Sequence, residues 1–219
     1  MYRLVIFDLD GTLVNSLEDL AESCNQALAY YGYPVHETEK YRYFVGNGVV
    51  KLVERTLPEN ARDEANVRRV KERFDKIYKE MYNCRTRAYD GIDSLIDSLH
   101  ENHILTAVAS NKPDEFTQVI VRELFGDAFS MVSGKRDGFE KKPDPQIALH
   151  IMQSLGVSPE ETLFAGDSAV DMQTAANAGC HSIGCTWGFR TREELVTNNA
   201  DYIADKPADI LSAVLGGSY

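Results

Sequence analysis

Residues Leu4 to Leu13 read Leu-Val-Ile-Phe-Asp-Leu-Asp-Gly-Thr-Leu, an apolar run that stops abruptly at two carboxylates and a glycine. The run is too short for a membrane helix and suits a strand buried on both faces of a parallel sheet. In open α/β sheets, ligands sit just outside the carboxyl ends of the strands. The two-residue period then sends Asp8 and Asp10 to the same side of that edge, and Gly11 permits a tight exit. Two carboxylates so close repel unless one is protonated or a cation lies between them. Mg²⁺ suits the place, because it takes oxygen ligands and combines one or two carboxylates with substrate phosphate. Asp-x-Asp-Gly is also ordinary turn chemistry, so this stretch alone leaves both readings open.

Beyond the first strand the chain is helical for a long way. Leu17, Leu20, Ala21, Cys24, Ala27, Leu28 and Tyr31 recur at three and four, with Ser16 as the expected N-cap and Asp19 three residues on. A second helical piece is expected over about Thr38–Phe44, stopped by Gly46-Asn47-Gly48, and a third over Val49–Leu57. Val67, Val70, Phe74, Ile77 and Met81 mark a fourth. No strand signal interrupts this region. Four helices between one buried strand and the next α/β unit predict a separate helical domain over 15–87, inserted into a core made of 1–14 and 88–219.

Alternation resumes with a helix through Ile92–Leu99 and a buried strand Ile104–Ala109, which is expected to end at Ser110-Asn111-Lys112. Pro113 suits a first helical position, with Asp114 and Glu115 in the acidic first turn. Phe129–Val132 is a weaker strand candidate. Lys141-Lys142-Pro143-Asp144-Pro145 precedes a helix through Ile147, Ile151 and Leu155, and Thr162–Ala165 ends in Gly166-Asp167-Ser168 with Asp171 beyond. Ser182–Cys185 and Tyr202–Ala204 are the last strand candidates.

Composition removes several classes of function. The 219 residues carry 23 Lys and Arg against 34 Asp and Glu, a net charge of −11 that argues against a nucleic-acid partner. Cys24, Cys84, Cys180 and Cys185 form no C-x-x-C pair, and the five histidines no H-x-x-x-H pair, so zinc is not expected. With no apolar signal segment before the first strand, reduced thiols in the cytoplasm are the expectation. No run approaches the roughly 18 apolar residues of a membrane span.

Three strands thus end in polar punctuation, and parallel strands bring such endings to one edge. A carboxylate nucleophile (Asp8), a second carboxylate for proton transfer (Asp10), and a hydroxyl (Ser110) with an ammonium (Lys142) to hold an anion are the parts of phosphoryl transfer. Asp167 would complete a metal site with Asp8 and Asp10, and Asp171 would be a ligand or stand behind one. Lys142 precedes a proline, which holds it extended and aimed. Each residue also has a plainer use: Ser110 as an N-cap, Asn111 as a turn residue, Lys142 as a surface charge, Asp171 as a helix-start acid.

Phe7-Asp8-Leu9-Asp10-Gly11-Thr12-Leu13, Ser110-Asn111-Lys112, Lys142-Pro143-Asp144-Pro145 and Gly166-Asp167-Ser168-Ala169-Val170-Asp171 resemble, in order and spacing, the four motifs of haloacid dehalogenase-like phosphohydrolases. The resemblance implies a Rossmann-like parallel-sheet core with an inserted helical cap, Mg²⁺ dependence, and an aspartyl-phosphate intermediate. Gly46-Asn47-Gly48 and Thr186-Trp187-Gly188-Phe189-Arg190-Thr191 are similar to phosphoglycolate phosphatases within that superfamily. This implies a small phosphorylated substrate, 2-phosphoglycolate first, with Asn111, the cap glycines, Asn47 and Arg190 helping to bind it. Asn15 departs from the Asp of many relatives. Asp10 argues against a dehalogenase, and a phosphonate hydrolase would need a Schiff-base lysine reaching in from the cap, for which Lys40 and Lys51 are candidates only in name. Pyrophosphate, sugar phosphates and nucleoside monophosphates stay open as substrates, because the cap selects them. A receiver-like signalling module would use similar groups, but has no need of Asp10 or the helical insertion. A monomer or weak homodimer is expected.

Overall fold

The computed structural model describes residues 1–216; residues 217–219, the end of the expected core range, lie outside the described residues. The chain opens with β1 (Leu4–Phe7) and β2 (Val14–Asn15). Four helices come next: α1 (Leu17–Tyr30), α2 (Tyr41–Phe44), α3 (Val49–Thr56) and α4 (Glu64–Met81). After β3 (Arg87–Ala88) come α5 (Ile92–Glu101), β4 (Leu105–Pro113), α6 (Asp114–Phe125), β5 (Met131–Lys135) and α7 (Gln146–Leu155). The chain continues with β6 (Thr162–Gly166), α8 (Ala169–Ala178), β7 (His181–Cys185), α9 (Arg192–Thr197), β8 (Tyr202–Ala204) and α10 (Pro207–Val214). Two compact units result, one of Met1–Val14 with the chain from Ala88 onward, the other Asn15–Arg87.

In the α/β unit six parallel strands run in the order β5-β4-β1-β6-β7-β8. The chain builds outward from β1 on one side, through β4 and β5, then crosses to the other side for β6, β7 and β8. The order therefore reverses at β1, and the crevice at such a switch is where α/β sheets bind ligands. Leu4–Phe7 pairs with Leu105–Val108 on one flank and Thr162–Ala165 on the other. All four β1 side chains are fully buried, as a central parallel strand requires. Leu4, Ile6, Ile147, Ile151 and Phe164 share one core cluster on one face of the sheet. Truncating Phe164 to Ala in such packing costs about 3–5 kcal/mol.

The helical unit packs α1 against α4 and closes around a half-buried polar knot. Asn25 Nδ2 donates to the His36 carbonyl at 2.8 Å and its Oδ1 accepts from His36 N–H at 2.9 Å and the Tyr41 hydroxyl at 2.8 Å. Tyr41 is buried, whereas Tyr30 and Tyr43 are exposed. Asp19, 1% exposed, accepts from the Arg85 and Thr86 N–H groups and the Thr86 hydroxyl.

Several local expectations change. Ser16 makes no side-chain cap bond to α1; Asn15 Oδ1 instead accepts from Leu17 N–H at 3.2 Å. Thr38–Phe44 is a 3-10 turn leading into the single turn of α2, because Tyr41 must turn inward within a few residues. The strand expected to stop at Ala109 runs on through Ser110-Asn111-Lys112 to Pro113, with an irregularity in its pairing between Ala109 and Pro113. Pro113 is accordingly the residue before α6 rather than its first, and β5 lies slightly later than expected, at Met131–Lys135. The short helices α9 and α10 carry too few periodic residues to be read from sequence.

Candidate active site

β1 and β6 are adjacent, so the residues after them meet at one edge. One oxygen from each of Asp8, Asp167 and Asp171 lies within 4.8 Å of the others. Against these three carboxylates stands one ammonium: Lys142 Nζ is 2.9 Å from Asp8 Oδ1 and 2.7 Å from Asp171 Oδ1, with its side chain 1% exposed. Lys142 is joined to Pro143 by a cis peptide bond. Asp8 Oδ1 also accepts from Leu9 N–H at 2.7 Å, so both contacts fall on the same one of its two oxygens. Asp171 is more fully committed, because its Oδ2 accepts from both the N–H and hydroxyl of Ser168.

Asp10 stands apart from the other acids. Lys112 Nζ lies 3.0 and 3.1 Å from its two oxygens, and the two side chains are 3% and 13% exposed respectively. Its carboxylate is not one of the three clustered acids and is drawn to the lysine on β4. Ser110 is buried, and its hydroxyl oxygen accepts from Lys112 N–H at 3.2 Å, which leaves the O–H to donate. Asn111 uses its Oδ1 and Nδ2 on the backbone N–H and carbonyl of Lys142, at 2.7 and 3.0 Å. This reciprocal pair of bonds from the Asn111 side-chain amide fixes the lysine's backbone.

The family model for haloacid dehalogenase-like hydrolases matches residues 5–185, a span that contains all of these acids, both lysines, Ser110 and Asn111. The chain is a haloacid dehalogenase-like hydrolase. Its curated relatives include a phosphoglycolate phosphatase of Vibrio parahaemolyticus, 34% identical over 97% of this chain and 96% of its own. Another, from Pectobacterium atrosepticum, is 34% identical over 97% of this chain and 92% of its own. A crystal structure from Lactobacillus delbrueckii subsp. bulgaricus, provisionally described as a phosphoglycolate phosphatase, superposes with a TM-score of 0.94 at 32% identity, covering 98% and 99% of the two chains. CbbY from Rhodobacter sphaeroides, solved in complex with phosphate, gives 0.75 at 26% identity over 96% of each chain.

The acids of the hydrolase are placed by what is missing around them. Gly11, at φ +94°, and Gly188 both face Asp167; a Cβ on either would overlap its side chain, and a Cβ on Gly166 would overlap that of Asp171. Asp167 Oδ2 accepts from Phe189 N–H at 2.7 Å, and Trp187 Nε1 donates to the Thr12 carbonyl at 3.0 Å. The Trp187–Arg190 segment thus lies against Gly11, Thr12 and Asp167. Gly188 is the only sign of that close approach in the sequence. Arg190 is mostly buried, its Nε 3.5 Å from Glu194, whose carboxylate also accepts from Ala169 N–H at the start of α8. Within the helical unit, Gly46 and Gly48 adopt φ of +113° and +82°, and Asn47 Oδ1 accepts from Arg55 at 2.7 Å.

Electrostatics reflect the imbalance of charge. Burial, reinforced by Asp171 and Asp10 and opposed by Lys142, pushes Asp8 up to about 7. Burial and then the Asp171 and Asp8 charges raise Asp167 well above the carboxylate range, with Phe189 N–H and Arg190 opposing. Burial works to lower Lys142, but Asp171 and Asp8 outweigh it and hold the ammonium charged. Buried carboxylates this poorly neutralised fit a hard divalent cation, which phosphatases of the family generally use. Among the described residues, no helix is long and apolar enough to cross a membrane.

Proposed function

We propose that the chain is a Mg²⁺-dependent phosphatase that hydrolyses a small phosphomonoester, 2-phosphoglycolate first among candidates, through an aspartyl phosphate. The observation that carries this reading is the joint burial of Asp8, Asp167 and Lys142 at the sheet's switch point, beside Ser110. Asp8 attacks phosphorus as the bond to the leaving oxygen breaks, and Asp10 gives that oxygen its proton. Water then attacks the aspartyl phosphate, its proton passes to Asp10, and the Asp8 carboxylate is released with inorganic phosphate. An ammonium has three donors; Asp8 and Asp171 take two from Lys142, and the third serves a phosphoryl oxygen, as does the Ser110 hydroxyl. Asp8 and Asp167 would hold the Mg²⁺, which offsets phosphoryl charge when bound. Asp171 acts through Lys142 instead, since both of its oxygens are engaged.

The helical unit serves as the cap, with the Gly46-Asn47-Gly48 N–H groups offered to the substrate's carboxylate, and Arg190 attracts the anion. The relatives named as phosphoglycolate phosphatases support the choice of substrate. The protein works in the cytoplasm as a monomer or weak homodimer. The test is kcat/KM with Mg²⁺ across 2-phosphoglycolate, pyrophosphate, sugar phosphates and nucleoside monophosphates, and 2-phosphoglycolate is expected to lead. A better substrate would replace the named one, whereas a stable aspartyl phosphate without turnover would overturn the phosphatase reading.

A further inference from the structure

Lys112 belongs to the site by geometry, yet the proposed chemistry gives it no task. It is one of only two lysines that are buried among the described residues; the other is Lys142. Its backbone is pinned from three directions. Lys112 N–H donates to the Ser110 hydroxyl, its carbonyl accepts from the Thr117 hydroxyl at 3.3 Å, and a Cβ on Gly134 would press on that same carbonyl at 2.8 Å. The stem is enclosed, with the side chain 3% exposed, so the ammonium is fixed at the carboxyl end of β4. There it meets both oxygens of Asp10, at 3.0 and 3.1 Å. Surface lysines are flexible, solvated charges whose pairs contribute little. This one is an immobile point charge gripping a carboxylate just beyond β1.

We infer that Lys112 is a positioning residue for proton transfer, holding the Asp10 carboxylate where it serves the leaving oxygen and then the attacking water. The inference rests on the reading of Asp10 as acid and base given above. The site then contains two acid–lysine pairs with separate tasks. Lys142 holds the nucleophile Asp8, and Lys112 holds the proton carrier Asp10. Proton donation matters most when the leaving oxygen is strongly basic, and little when the leaving group departs readily as an anion. Loss of Lys112 must therefore be felt unequally by two substrates of nearly the same shape.

The experiment compares Lys112→Met, which keeps the stem and removes the charge, with Lys112→Arg and Asp10→Asn. Each is assayed with Mg²⁺ on phenyl phosphate and on 4-nitrophenyl phosphate. Lys112→Met is expected to lose about tenfold or more in kcat on phenyl phosphate, with KM within about twofold, and markedly less on the nitrophenyl ester. Lys112→Arg is expected to recover part of the loss. Lys112→Gln, which keeps one donor, replaces the Met variant if that one fails to fold. Equal losses on both esters, or a change in KM alone, overturn the inference if Asp10→Asn does discriminate between them. If Asp10→Asn shows no discrimination, the acid–base reading itself falls, and the role of Lys112 with it.

Discussion

Each unit of this hydrolase buries carboxylates, and treats them in opposite ways. In the helical unit Asp19 is the one buried carboxylate among the described residues, and two backbone N–H groups and a hydroxyl converge on it. In the α/β unit three carboxylates cluster: Asp8 and Asp171 share one lysine, and Asp167 receives a single backbone N–H. A saturated buried charge is a fastener. An under-neutralised group of charges opposes folding and is retained for what it can bind. The difference therefore separates acids that fasten the fold from acids left available to bind, without reference to any substrate.

The contrast breaks most visibly in activity. Asp8→Asn is expected to lower kcat by on the order of 10⁴-fold or more, while the metal-free protein stays as stable as the wild type or gains stability. A variant that unfolds would place Asp8 with the fasteners. The next largest effect is the mirror image: Asp19→Ala leaves three donors unmatched and is expected to cost about 3 kcal/mol in urea denaturation, whereas Asp167→Asn in a chelator should cost little or nothing. Equal losses in the two variants would erase the distinction.

A smaller effect sharpens the comparison through pH. Asp8 is raised from 3.8 to about 7, so between those values the folded state binds more protons than the unfolded one. Its contribution to stability is complete below about pH 4 and is lost as pH rises through about 7. Melting of the metal-free protein is expected to fall over that window, more steeply than in Asp8→Asn, and Mg²⁺ should flatten the slope by binding the carboxylate form. A steeper slope in Asp8→Asn would contradict the charge imbalance.

Much of this site is visible in the sequence because its parts are contiguous. Four apolar residues ending in Asp-Leu-Asp-Gly announce both a buried strand and its functional edge, and the β6 ending repeats the pattern. What stays hidden depends on partners far along the chain. Asn111 looks like a turn residue because its partner is the backbone of a residue 31 positions away. Lys112 draws no attention while β4 is expected to end before it; once the strand continues, Ser110 and Lys112 fall on one face. Asp19 passes for an ordinary first-turn acid, since helical periodicity cannot report that Arg85 and Thr86 return to it. Ser16 holds the N-cap position of α1, but the side-chain bond there comes from Asn15, because both side-chain types suit that end of a helix.

The central position of β1 also sets the order in which the site is completed. The strand that leads into Asp8 is synthesised before the rest of the sheet, and its neighbours on either side are made roughly 100 and 160 residues later. At roughly 5–20 residues per second of synthesis, its two hydrogen-bonding edges wait about 5–20 s and about 8–32 s. Its apolar side chains wait as long for cover. The ribosome thus completes the flanks of β1 only when β6 emerges. A nascent chain stalled before residue 162 carries Asp8 but has no Asp167 beside it, and exposes the strand most in need of shelter from aggregation.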